Sequence, residues 1–408
     1  MAPVHRTVLR IAESPGVVFL VALTIRVWVL SQLLPQKAWE YFYRYNEPSR
    51  IAWALVSGFG YSSPWPDTPL APTAQQPPVY PFLIAGIFKL AGAYSYRSLL
   101  IAVGLNAVLS SMTAVVILRL GKRDFGSLVG VLAAWVWACW MYEAAVAVRL
   151  WESSLSALLL LLALIMLPKL KGSGTPRWLC FGLLAAVACL NNTSLLSVFP
   201  FFWVWLGVSC RQSTRSCRPQ LIASVGIFVL ALLPWTIRNY EVFHRLMPIR
   251  DNFGLELWIG NHARVTDRYD SDFPILDPGE YNRLGEVRFM ESKRDIAVQF
   301  ISQHPAKFLR LSARRCLRYW TGPDPVVWSF VSLIAWTGTI LALRRKGLDA
   351  FPYLIVLLMF PLVYYVTHTF PTYRHPTEPV MLLLAGYTVV STFGWLNKTS
   401  QGTHTPDH

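Results

Sequence analysis

Apolar runs about 18 residues long recur along this chain, from "VVFLVALTIRVWVLSQLL" (Val17 to Leu34) to "TEPVMLLLAGYTVVSTFGWL" (Thr377 to Leu396). A helix rises about 1.5 Å per residue, so roughly 20 apolar residues cross a hydrocarbon core about 30 Å thick. About ten such runs make the chain an all-α polytopic membrane protein, because helices satisfy their own backbone groups in lipid. Composition agrees: 54% of residues are hydrophobic and 14% charged, against about 25% charged in a soluble domain. The net charge is +15. In a span-rich chain that excess orients helices rather than binding nucleic acid, and no nucleic-acid partner is expected.

Basic residues cluster between alternate runs: Arg119, Lys122 and Arg123; Lys169, Lys171 and Arg177; Arg211, Arg215 and Arg218; Arg344, Arg345 and Lys346. With these loops cytoplasmic, the other connections lie outside. The alternation closes only if "VYPFLIAGIFKLAG" (Val79 to Gly92) does not cross, and its length and Lys89 suit an interfacial or re-entrant segment. Four parts follow. Residues 1–237 form an N-terminal membrane domain with a long first outer loop at about 35–97, carrying amphipathic outer-face helices. Residues 238–325 form an extracytoplasmic loop region, 326–396 the C-terminal membrane helices, and 397–408 a cytoplasmic tail. A helical pattern runs from about Glu286 to Trp320.

Several charges ask for partners. Arg26 lies inside the first span; Glu143, Arg149 and Glu152 flank the outer ends of the third and fourth. Intramembrane charges face a partner or a wet cavity. Arg149 either pairs with Glu143 or Glu152, or lines a substrate cavity together with Glu152 and Arg50. Lys307, Arg310, Arg314 and Arg318 form a basic helical stripe, suited either to solvent and anionic lipid or to a phosphate. Arg374 and His375 in "PTYRHPTEP", and Arg238 after Trp235, reach the outer membrane face. A guanidinium there can chelate phosphate through two N–H groups, or cap a helix. The six cysteines include no CxxC pair, so neither a disulfide framework nor a structural zinc site is expected.

The stretches "GFGYSSPW", "PTAQQPPVYPFLIAGIFKLAG", "RLWESSLSALL", "PWTIRNYEVFHRLMPIRDNFGLELWIGN" and "YRHPTEP" occur in an order that resembles bacterial GT-C superfamily membrane glycosyltransferases. These are relatives of dolichyl-phosphate-mannose protein mannosyltransferases and of the lipid A aminoarabinose transferase. The resemblance implies a GT-C-type bundle with a catalytic carboxylate in the first outer loop and a polyprenyl-phosphate sugar as donor. The acceptor is a glycan, a lipid or a protein of the cell envelope, and the active site faces outward from a bacterial inner membrane. Where relatives carry an Asp-Glu pair, this chain has Asn46-Glu47. Glu47 is therefore the candidate base, with Glu40 as the alternative. Arg374, Arg238 and His375 are candidates to hold the donor phosphate. A lipid-phosphate leaving group needs little acid catalysis; it needs a base for the acceptor proton and cations for the departing charge. No metal ligand set or cofactor is expected from the spacing, and dependence on a divalent metal is left open. Glu47 before Pro48 is also ordinary helix-start chemistry. A secondary transporter shares the span count but often shows two-fold internal repeats, and no convincing one is found here; a flippase-like protein would need no carboxylate in the first loop.

Overall fold

The computed structural model describes residues 10–33, 43–62, 65, 68–211, 217–265 and 278–402. Glu40 and the end of the tail expected at 397–408 lie outside them. Among the described residues the elements are helices, with one isolated bridge between Ser62 and Pro72.

Helix α1 (Pro15–Leu33) is followed by two short helices, α2 (Glu47–Val56) and α3 (Val79–Ala91), and then by the 29-residue α4 (Tyr96–Asp124). With 13 residues, α3 is roughly 20 Å long and too short to cross. Its Ile84 and Phe88 pack with Ala52 of α2 and Leu99 of α4. Helices α5 (Ser127–Cys139) and α6 (Met141–Ala147) meet at a 64° bend. Next come α7 (Ser153–Leu170), α8 (Thr175–Asn191), α9 (Phe199–Arg211) and α10 (Arg218–Phe243). Four helices then precede the last spans: α11 (Phe253–Gly260), α12 (Pro278–Leu284), α13 (Glu286–Gln303) and α14 (Pro305–Thr321). The chain closes with α15 (Pro325–Lys346), α16 (Phe351–Met359), α17 (Leu362–Val366), a 3-10 turn at Pro371–Thr377 and α18 (Glu378–Gly402).

Two expectations change. Among the described residues, six helical stretches are long and apolar enough to cross a membrane, or seven with the bent α5–α6 pair. The expected count of ten is not reached by length and composition, partly because α8 has 17 residues and Pro325–Val366 reads as one 42-residue stretch. That stretch is interrupted at Gly347, whose φ of +55° is a backbone setting that favours glycine. The helix expected from Glu286 to Trp320 is two helices, because Pro305 offers no N–H and its ring would clash with the preceding turn.

Arg26 explains the α5–α6 bend. A broken helix leaves carbonyls without partners, and lipid supplies none. The Arg26 guanidinium donates to the Trp137 and Ala138 carbonyls at 3.1 and 3.0 Å, and to Ser110 Oγ at 2.8 Å. We expect Arg26→Leu to cost about 3–5 kcal/mol, the usual cost of deleting one member of a buried polar network. A melting temperature that does not fall would show the bend to be self-supporting.

The basic loops meet at one end of the bundle. Lys122 pairs with Glu13 at 3.0 Å, Lys171 with Asp349 at 3.2 Å, and Lys346 lies over Phe125. Asp124 takes both Arg123, at 2.6 Å, and the Tyr353 hydroxyl. Since α7 ends beside Lys171, its start at Ser153 lies at the opposite end.

Candidate active site

At that opposite end, polar side chains from four distant stretches converge. Glu47 opens α2, with Pro48 after it; Pro at this position forgoes an N–H that the helix would leave unpaired anyway. Its carboxylate accepts from the Gln76 amide and the Trp65 indole. Burial raises the Glu47 carboxyl above its usual range; Arg250 pulls it back and Glu256 pushes it further up. Glu152, just before α7, is held by Asn192 Nδ2 at 3.5 Å, while its carbonyl receives Asn191 Nδ2 at 3.2 Å. Burial pushes the Glu152 carboxyl up to about 7; its own backbone N–H and Arg250 oppose the shift, and Glu47 adds to it.

Arg250 Nη2 lies 3.5 Å from Glu256 Oε1. Glu256 also accepts from Asn252, and its other oxygen lies 3.2 Å from His368 Nδ1. His368 Nε2 is 3.1 Å from the Tyr373 hydroxyl, and the Tyr373 ring packs on Tyr364 at 4.9 Å. Beside this chain is a cavity of about 220 Å³ lined by Arg149, Trp151, Ser153, Phe370, Thr372 and Tyr373. The Arg149 side chain is exposed, and among the described residues its guanidinium makes no hydrogen bond or ion pair.

The profile of the dolichyl-phosphate-mannose-protein mannosyltransferase family matches residues 75–236. Three solved structures of the oligosaccharyltransferase AglB from Archaeoglobus fulgidus are similar to this chain. The complex with an inhibitory peptide and a dolichol-phosphate is 12% identical, with a TM-score of 0.54, over 97% of this chain and 52% of that one. The apo form is 12% identical, with a TM-score of 0.57 and the same two coverages. The form tethered to an acceptor peptide containing the NVT sequon is 13% identical, with a TM-score of 0.56, over 94% of this chain and 50% of that one. The likeness to these structures is one of fold. It spans about half the length of the AglB structures it matches. No curated protein matches it.

Within this fold the sequence-expected residues fall into two groups. Glu47 and Glu152 come together around Arg250, and Arg149 lines the adjoining cavity. Arg149 pairs with neither Glu143 nor Glu152. Arg50, one turn on from Glu47, acts on the Tyr94 hydroxyl.

Arg374, His375 and Arg238 have other partners. Arg374 is 1% exposed; it donates to Glu378 Oε1 and to the Tyr319 carbonyl, both at 2.9 Å, and stacks on Trp328 at 3.7 Å. His375 Nδ1 lies 2.9 Å from Glu143 and 3.4 Å from Glu378. Arg238 donates to the carbonyls of Thr73 and Tyr61 at 2.8 and 3.0 Å, and stacks on Tyr61 and Trp235. It thereby ties the segment between α2 and α3 to α10. Among the described residues, no hydrogen bond or ion pair joins Arg374, His375 or Arg238 to Glu47.

Glu143, His375 and Glu378 bring ligand-type atoms within 4.8 Å of one another, all buried. Charge weighs against a metal there. Arg374 on Glu378 and Arg26 facing Glu143 already balance the two carboxylates, so a dication would leave two uncompensated charges in the bundle. The cluster is an ionic junction between α6, the Pro371–Thr377 turn and α18.

Arg250, Glu256, Gln76 and His368 belong to the site without having stood out in the sequence. Arg250 and Glu256 sit in "PIRDNFGLELWIGN", with Asp251 between them, so charges set among apolar residues were the available signal. His368, more than a hundred residues further on, gave none.

Proposed function

We propose that the chain transfers a sugar from a polyprenyl-phosphate donor to an envelope acceptor at the outer face of a bacterial inner membrane. One observation carries the reading: a half-buried Glu47 shares a polar site with Glu152 and Arg250 at the bundle end remote from the basic loops, beside a cavity with an uncommitted arginine. The dolichol-phosphate and acceptor peptide in the AglB structures suit such a site. The stretches about 35–97 and 238–325, which carry Glu47 and Arg250, are then outer segments.

The chemistry is a single displacement. The acceptor atom attacks the anomeric carbon and gives its proton to Glu47. The bond from that carbon to the phosphate oxygen breaks, its electron pair stays on the phosphate, and the anomeric centre inverts. Arg149 and Arg250 face the charge that develops. Arg374 and Arg238 contribute by holding the loops, because binding phosphate would cost each its present partners.

Glu47 must be ionised to accept a proton, and its carboxyl and that of Glu152 both lie above the usual range. Turnover is therefore expected to fall with falling pH already above the usual carboxylate range, because burial raises the Glu47 carboxyl. A rate that stays level from pH 8 to 5 would remove a raised carboxylate from the reaction.

Native mass spectrometry of the full chain with undecaprenyl phosphate tests the site itself. The expected result is one retained lipid phosphate, displaced by excess polyprenyl phosphate but not by an uncharged polyprenol. Equal retention of polyprenol would mean a lipid groove with no phosphate site.

A further inference from the structure

The chain of contacts Glu256, His368, Tyr373 runs toward the Arg149 cavity and has no part in the reaction so far. Its links are 3.2 Å from Glu256 Oε2 to His368 Nδ1 and 3.1 Å from His368 Nε2 to the Tyr373 hydroxyl. Tyr373 lines the cavity with Arg149, Trp151 and Ser153. His368 is 7% exposed. A hydroxyl with one side on an imidazole and its ring on a cavity wall can present either a donor or an acceptor to a ligand, and the imidazole decides which.

We infer that Tyr373 binds the donor phosphate, with His368 and Glu256 as positioning residues that turn its O–H into the cavity when His368 carries a second proton. With neutral His368, Nδ1–H faces Glu256, Nε2 accepts the Tyr373 O–H, and the cavity meets the phenol's lone pairs. With protonated His368, Nε2–H donates to the Tyr373 oxygen and frees its O–H. A phosphate oxygen accepts hydrogen bonds, so it selects the second arrangement. Binding the phosphate then takes up one proton at His368 from solvent, and no covalent bond changes.

The groups that face His368 are Glu256, Arg250, Arg315 and Tyr373. Burial holds the imidazole below its ordinary value, while Glu256 pulls it up and the two arginines push it down. The empty site is therefore mainly in the neutral arrangement near pH 7. A bound anion favours the charged ring, so affinity rises as the pH falls.

This inference rests on the cavity taking a lipid phosphate, and the test separates the two. Undecaprenyl phosphate is titrated onto the full chain in nanodiscs from pH 8 to 6, for wild type, Arg149→Ala, Tyr373→Phe and His368→Gln. Circular dichroism and the melting temperature check each fold. The probe's own ionisation affects all four proteins alike. Wild type should tighten about three- to tenfold more than His368→Gln over this range, up to the tenfold per pH unit that one linked proton allows. Tyr373→Phe should bind at pH 6 as weakly as His368→Gln. Equal pH dependence in wild type and His368→Gln, with Arg149→Ala still weakened, overturns the proton-set tyrosine and leaves the cavity standing. Binding that is insensitive to Arg149→Ala in a folded protein overturns both.

Discussion

Glu47→Gln is expected to lower turnover by about 100- to 10,000-fold, the usual worth of a positioned general base. Donor affinity should barely change, because the carboxylate serves the acceptor. Gln keeps the size and polarity and can still meet Gln76 and Trp65, so the fold is expected to survive. Were Glu47 only a helix-start residue, Gln would cost a few tenths of a kcal/mol through the helix dipole and activity would persist. Two other carboxylates compete for the role. Glu152 shares Arg250 with Glu47, and Glu40 is the sequence alternative. Assayed together at matched expression, Glu47→Gln, Glu152→Gln and Glu40→Gln identify the base by which one alone abolishes turnover without weakening donor binding.

Arg149→Ala is expected to weaken binding of the donor phosphate by about 10- to 150-fold, the 1.5–3 kcal/mol of a charge-assisted hydrogen bond. Lysine should restore only part, since one ammonium cannot reproduce the forked pair of N–H groups. Arg374→Ala should act differently. It strips Glu378 of its partner inside the bundle and should cost about 3–5 kcal/mol of stability, as removal of one partner from a buried pair usually does. A folded Arg374→Ala protein with Arg149-like loss of donor affinity would return the phosphate to Arg374.

The contrast between these arginines shows what the sequence could and could not disclose. Span-length apolar runs and the alternation of basic loops gave the helical membrane fold and the non-crossing Val79–Ala91 segment, because hydropathy and length act locally. Glu47 and Glu152 were visible as acids at the ends of apolar segments. Arg374, Arg149 and Arg238 look alike in sequence: each is an arginine close to the end of an apolar run. What separates them is tertiary. Glu378 lies one helical turn from Arg374 on the same strand of chain, but the carbonyls that complete its shell come from Tyr319 and Trp320. Arg238 is absorbed by carbonyls of the first loop. The Glu256–His368 contact joins residues more than a hundred positions apart, and no local period announces it.

The most direct measurement uses the purified full chain in proteoliposomes with a labelled polyprenyl-phosphate sugar and an envelope extract as acceptor. Glycosyl transfer with Glu47 as base predicts free polyprenyl phosphate and label in the acceptor together, from wild type and not from Glu47→Gln. Donor carried intact across the bilayer by both proteins, with no free polyprenyl phosphate, would contradict it and make the chain a transporter.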